Sequence, residues 1–246
     1  MAPSPISSLL SGALLNVSFY ALLRFKLLID GAIGSLFSSQ LFLAFGLVSM
    51  LVAALFIFTQ NNYKRLLAYS SIEHMGIIAL GFGAGGAGVF AALLHTIYHA
   101  ITKSLLFLSS GNIILRYSTA TIADIKGLRS TLPITSIVFF IGILSITGVP
   151  PFGTFITEFS ILTSLIPSHP FITATVLGAL AFVFIGFLKH FSSMVNGQAS
   201  ENIAKGEKIG WTTWPLIALV VVLSVLSVTI SPLFHTLLTN AASLFI

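Results

Sequence analysis

Three ionisable side chains stand four residues apart in one apolar run of the chain, HTIYHAITKSLLF: His95, His99 and Lys103. In a helix that spacing drifts by about 40° per step, so the three form a stripe along one face. A neutral imidazole accepts a proton on one nitrogen and releases one from the other, and a lysine stripped of water can exchange its own. The stripe therefore has the chemistry of a proton relay. Glu158, in a second apolar run, supplies a carboxyl group as natural acceptor or gate, and Glu73-His74 places another acid and base in a third. Ionisable groups in hydrocarbon cost roughly 2.5 to 3.5 kcal/mol each on insertion scales, so each calls for an explanation.

The run that carries Glu158 is interrupted by Gly148-Val149-Pro150-Pro151-Phe152-Gly153. Adjacent prolines remove two backbone donors and clash with the preceding turn, so a straight helix ends there. Interrupted membrane helices expose carbonyls and are tolerated only where protein or water surrounds them. Pro150, Pro151 and Gly153 thus mark a polar break beside Glu158.

Plainer readings stand beside these. Lys103 and Glu158 would serve as a static ion pair between helices, and Glu73 with His74 would be solvated if they lay near the interface marked by Lys64-Arg65. His95 and His99 have the i, i+4 spacing of a metal-ligand pair, but their helix holds no acidic third ligand. Haem would need facing histidines, whereas His169, His190 and His235 fall near the ends of apolar runs. No metal is expected. The glycine-rich GFGAGGAG, 81–88, lacks the preceding strand of a nucleotide loop and reads as a tight membrane turn.

The elements that must position these residues follow from composition. With 56% hydrophobic and 7% charged residues and a mean hydropathy of +1.05, the 246-residue chain cannot cover a water-facing surface. Crossing a ~30 Å hydrocarbon core takes roughly 20 apolar residues, which leaves room for about seven spans and no sizeable soluble domain. Apolar stretches fall at 5–25, 36–60, 68–86, 87–115, 133–166, 171–192 and 211–238, the last with Trp211 and Trp214 as interfacial anchors. The polar stretch 196–210 reads as a loop. MAPSPISS at the N-terminus has no basic region and runs into a full apolar span, so it reads as mature sequence and not a signal peptide.

Charge then fixes topology. Counting 133–166 as one broken span puts Lys64, Arg65, Arg116, Lys126, Arg129, Lys189, Lys205 and Lys208 on one side against Arg24 and Lys26 on the other. Counting it as two spans divides the cations evenly, so the positive-inside rule selects the single broken span. The N-terminus is then cytoplasmic and the C-terminus lies on the opposite side. The net charge of +5 comes from cations scattered in ones and twos, without the basic stripe of a nucleic-acid binder. No cysteine is present for disulfides or iron–sulfur ligation, and no cofactor is expected in this chain.

Four ordered runs, NNYKRLLAYSSIEHMG (61–76), LLHTIYHAITKSLLFLSSGNI (93–113), IADIKGLRSTLP (122–133) and ITGVPPFGTFITEFSIL (146–162), resemble the antiporter-like proton-conducting subunits of complex I and group 4 membrane hydrogenases. Residues 2–25 look most like hydrogenase-4 component F, with NADH-quinone oxidoreductase subunits L, M and N as cousins. The resemblance implies an all-α membrane fold of fourteen helices built from two inverted repeats, of which this chain matches helices eight to fourteen. Residues 1–246 would form one membrane domain: 1–30 closing the first repeat, 36–194 making the second with its broken helix at 133–166, and 211–246 the terminal helix. By position Lys103 matches the family's buried lysine, His95 and His99 its companions, and Glu158 the charged site of the broken helix. Asn16 stands where many relatives carry lysine or histidine.

The expected function is proton translocation in the membrane arm of a hydrogenase-4 or NADH-quinone oxidoreductase-like complex, along Glu73, His74, His95, His99, Lys103 and Glu158. The chain would be a non-catalytic subunit in the cell's inner membrane. Its partners would be other membrane-arm subunits and lipid, with a separate chain supplying the first repeat if this is half of a split subunit and not a fragment or a truncated product; no nucleic acid is expected. A cation/proton antiporter subunit and a non-conducting structural fragment are the alternatives.

Overall fold

A computed structural model describes residues 3–245, so the expectations for Met1, Ala2 and Ile246 lie outside the described residues. The chain is helical almost throughout. Helix α1 (Ser4–Leu9) passes through a π-helical turn, Leu10–Leu14, into α2 (Leu15–Ile33). After Gly34 come α3 (Ser35–Thr59), α4 (Tyr63–Ala84), α5 (Ala87–Tyr117) and the short α6 (Leu128–Thr131). Then follow α7 (Pro133–Ile146), α8 (Gly153–Leu165), α9 (Pro170–Val195), α10 (Trp214–Val228) and α11 (Pro232–Ala242).

Among the described residues five helical stretches are long and apolar enough to cross a membrane, and a sixth if α10 and α11 count as one bent span. The seventh expected crossing is the pair α7 and α8. Their 14 and 13 residues measure roughly 21 and 20 Å, so neither half reaches across alone. The break at 147–152 is thus where the two prolines put it.

Three expectations need correction. The first span runs to Ile33, not 25, so Arg24 and Lys26 lie inside it. Lys26 is buried and bonded to Asp30, at i, i+4, and to Ser38, both at 2.8 Å, so it is no solvated flank. The third span begins at Tyr63, not 68, because Asn62 accepts from the backbone N–H groups of Lys64 and Arg65 and caps the helix. Glu73 and His74 therefore sit about three turns into α4, away from its end. Finally, 211–238 is not one straight helix: α10 and α11 meet at 73° across Thr229–Ser231, where Ser231 caps α11 and Pro232 opens it.

Packing follows the burial pattern. Of the span windows of α4 and α5, 78% and 61% of residues are buried, against 17% along α1–α2, so α4 and α5 form the centre of the bundle. Their turn holds Gly85 and Gly86 at φ +74 and +50, as expected for a tight turn. Gly81 and Gly88 let the two helices cross so closely that a Cβ on either would reach the other's carbonyl oxygen at 2.7 to 2.8 Å.

The two interrupted helices touch. Tyr98 on α5 donates its hydroxyl to the Leu226 carbonyl at 2.7 Å, and the Gly153 N–H that opens α8 donates to Ser227 Oγ at 3.0 Å. The 196–210 loop returns to the bundle, with Glu207 accepting from the Thr135 hydroxyl and N–H.

Candidate proton relay

Pro150 determines the first contact of the site. The carbonyl of Ile146 would ordinarily accept from the N–H four residues on, but that residue is Pro150 and has none. His74, from α4, fills the gap: its Nε2 lies 2.8 Å from Ile146 O. His74 Nδ1 lies 2.7 Å from Nε2 of His95, and His95 Nδ1 lies 2.8 Å from Thr157 Oγ1 on α8. A continuous hydrogen-bonded chain thus runs from the end of α7, through α4 and α5, to the second turn of α8, with both rings fully buried.

The acids flank this chain. Glu73 Oε2 is 3.5 Å from His74 Nε2, and Glu158 brings a carboxylate oxygen into a cluster with His74 and His95 in which the donor atoms lie within 4.8 Å. Gly148, at φ +61, lies against the Glu158 carboxylate so closely that a Cβ there would overlap Oε2. Past Glu158 a cavity of about 320 Å³ opens between the break and α9, lined by Gly148, Pro150, Phe155 and Leu177 among others. The two imidazoles and the carboxylate are close enough for a shared cation, but the 2.7 Å bond joining the rings occupies the nitrogens such a cation would need.

Lys103 lies two turns along α5 from His95, fully buried. It donates to the Leu67 carbonyl at 2.6 Å and to Ser70 Oγ at 2.5 Å, both on α4. No Lys103–Glu158 ion pair forms, which removes the static-pair reading; the acid whose charge acts on Lys103 is Glu73. Next to Ser70, Ser71 bonds Ser11 Oγ at 2.7 Å on the wall of a cavity of about 570 Å³ whose rim carries Lys64 and Arg65.

The structure gathers all six predicted groups: His95, His99 and Lys103 lie buried along α5, and Glu73 and His74 from α4 and Glu158 from α8 meet them. His95 and His99 do not bond each other; His74 packs against both, its ring 5.0 Å from one and 5.2 Å from the other. Glu73 and His74 are buried to 1% and 0% exposure, so the solvated reading is overturned. Asn16 donates to the carbonyls of Gly12 and Thr96 and so touches α5 one residue from His95. Every buried side-chain atom without a hydrogen-bond partner among the described residues belongs to Asn16, Glu73, His99 or Glu158. Such atoms cost about 1 to 3 kcal/mol each, and they are rare in folded proteins. Their concentration here sets this cluster apart from the rest of the core.

Sequence reasoning missed Thr157, Ser70 and the carbonyl of Ile146. Only the last had a signal, the proline four residues after it.

A sequence profile described as NADH:quinone oxidoreductase/Mrp antiporter, transmembrane, matches residues 1–184. The chain belongs to that family. It is 46% identical over 186 residues to a hydrogenase-4 component F homolog of Methylacidiphilum infernorum, covering 72% of this chain and 39% of that protein. It is 30% identical over 203 residues to NADH-quinone oxidoreductase subunit M of Rickettsia conorii, covering 81% and 41%. Among solved structures, a chain of the membrane-bound sulfane sulfur reductase, an archaeal respiratory membrane complex, superposes with a TM-score of 0.88 at 28% identity over 99% of this chain and 50% of that one. A chain of respiratory complex I from Thermus thermophilus shares the fold, with a TM-score of 0.75 at 22% identity over 89% and 49%. The family member described here is an all-helical integral membrane protein that spans about half the length of these relatives or less.

Proposed function

We propose that this chain carries a proton-conducting half-channel of the membrane arm of a hydrogenase-4 or complex-I-like assembly. The observation that carries the reading is the buried His74–His95 bond flanked by Glu73 and Glu158 at a helix break, with nearly all the unpartnered buried atoms around it. Protons enter past the hydroxyl-lined cavity at Lys64 and Arg65, reach Lys103, pass Glu73 and the histidines, and leave through Glu158 into the cavity at the break. Redox chemistry in partner subunits drives the transfer by changing the charge on Lys103 and Glu158, since this chain offers no cysteine ligands for redox centres. The N-terminus faces the cytoplasm in the cell's inner membrane.

The test is proton translocation by the purified complex in liposomes. Lys103→Ala or Glu158→Gln should each abolish pumping while assembly and redox turnover persist. Undiminished pumping by both variants sinks the proposal, and strict dependence of transport on sodium would assign the chain to cation/proton antiport.

A further inference from the structure

Resting on that reading, hydrogen-bond directions in the relay follow from its two ends. Ile146 O is a carbonyl and can only accept, so His74 Nε2 must carry a proton in every state in which the 2.8 Å contact survives. If His74 is neutral, its Nδ1 is an acceptor, His95 must donate from Nε2, and His95 Nδ1 must in turn accept. The donor is then the Thr157 hydroxyl, at 2.8 Å. Neutral rings and complete hydrogen bonding thus allow one arrangement, with both histidines in the Nε2–H tautomer.

Thr157 has a second set of acceptors. Its Oγ1 lies 2.9 Å from the carbonyl oxygen of Thr154 and 3.1 Å from that of Gly153. When one further proton enters the pair, from a neighbouring carboxylic acid or water, a new N–H bond forms at His95 Nδ1. The His95 Nε2–H bond breaks and its proton passes to His74 Nδ1, leaving His74 a cation with both nitrogens protonated beside Glu73. Thr157 then turns its hydroxyl proton to a carbonyl of α8 and accepts from His95 Nδ1–H. Every ring nitrogen is bonded in both states, and no heavy atom has to move.

We infer that Thr157 is a switching hydroxyl that registers the charge of the His74–His95 pair, with the Ile146 carbonyl holding the Nε2 proton of His74 in both states. The pair consequently takes up and returns its mobile proton at the Thr157 end, on the side of α8, and not by giving the Nε2 proton to Glu73. The ionisable groups facing the pair are Glu73 from α4, His99 and Lys103 from α5, and Glu158 from α8. Thr157 acts through His95 and is a positioning residue.

Two readouts on the assembled complex in liposomes test this. Thr157→Ser keeps the hydroxyl and should pump at about the wild-type rate, whereas Thr157→Val should lose about tenfold or more, the scale of leaving one buried ring nitrogen without a partner. Wild-type pumping by Thr157→Val overturns the inference. The second readout does not depend on transport: solid-state nitrogen-15 spectra of labelled histidine in the wild-type complex, assigned with single His→Gln variants, should show His74 and His95 protonated at Nε2 and bare at Nδ1 when neutral. His95 protonated at Nδ1 while His74 is neutral overturns it, even where Thr157→Val fails to assemble. Absence of proton transport in the wild type would defeat the proposed function and leave the tautomer result standing.

Discussion

Lys26 and Lys103 are both buried in this bundle, and they are held in opposite ways. Lys26, on α2, is locked to a carboxylate and a hydroxyl, Asp30 and Ser38, each at 2.8 Å. Lys103, on α5, rests on neutral oxygens alone, the Leu67 carbonyl and Ser70, while the acid nearest in charge, Glu73, keeps an oxygen without a hydrogen-bond partner. A closely paired cation has nowhere better to send a proton. One that leans on dipoles, with an unsatisfied carboxylate within electrostatic reach, changes state at smaller cost. Burial alone therefore does not mark a functional charge; how completely its neighbours answer it does.

Lys103→Ala should remove pumping altogether while leaving the complex as stable as the wild type to within about 1 kcal/mol, because the partners it leaves behind are neutral. Lys26→Met should do the reverse, leave Asp30 with the Ser38 hydroxyl and no cation, and destabilise the chain by about 3 kcal/mol in thermal or detergent denaturation, with pumping per assembled complex unchanged. If Lys26→Met instead stops transport in a stable complex, the distinction between the two lysines fails. Gly148→Ala places a methyl against the Glu158 carboxylate at a left-handed backbone position and should slow pumping several-fold, read beside Glu158→Gln to separate displacement of the acid from its loss. Smallest is Ser70→Ala, which takes one neutral partner from Lys103 and should shift stability by about 1 kcal/mol and alter transport only modestly.

Much of this was legible in the chain itself. Seven apolar stretches, the double proline and the four-residue spacing of His95, His99 and Lys103 place the broken helix and the relay helix without any contact information. Lys26 was misjudged because a cation near the end of an apolar run resembles a flank, although Asp30 four residues later was a visible hint of an internal pair. The bend before α11 also had its signal, a Ser-Pro start of the kind that caps a helix. His74 standing between two histidines of another helix had none, since helix rotation about a neighbour is decided by packing such as the Gly81–Gly88 crossing. Thr157 escaped notice for the same reason: a threonine on a membrane helix usually bonds its own backbone, and only the approach of α5 gives it a second acceptor.

The paired breaks have a mechanical meaning. Gly153 opens α8 and hangs from Ser227 at the far end of α10, just ahead of the 73° bend, while Tyr98 grips the adjacent Leu226 carbonyl from the relay helix. The first turn of α8 cannot slide along its axis without stretching a bond to α10, and α10 cannot straighten without tugging on α5. Thr157 and Glu158 ride on that turn's continuation, so the terminal helix pair works as a strut that sets how far the two halves of the broken span can part.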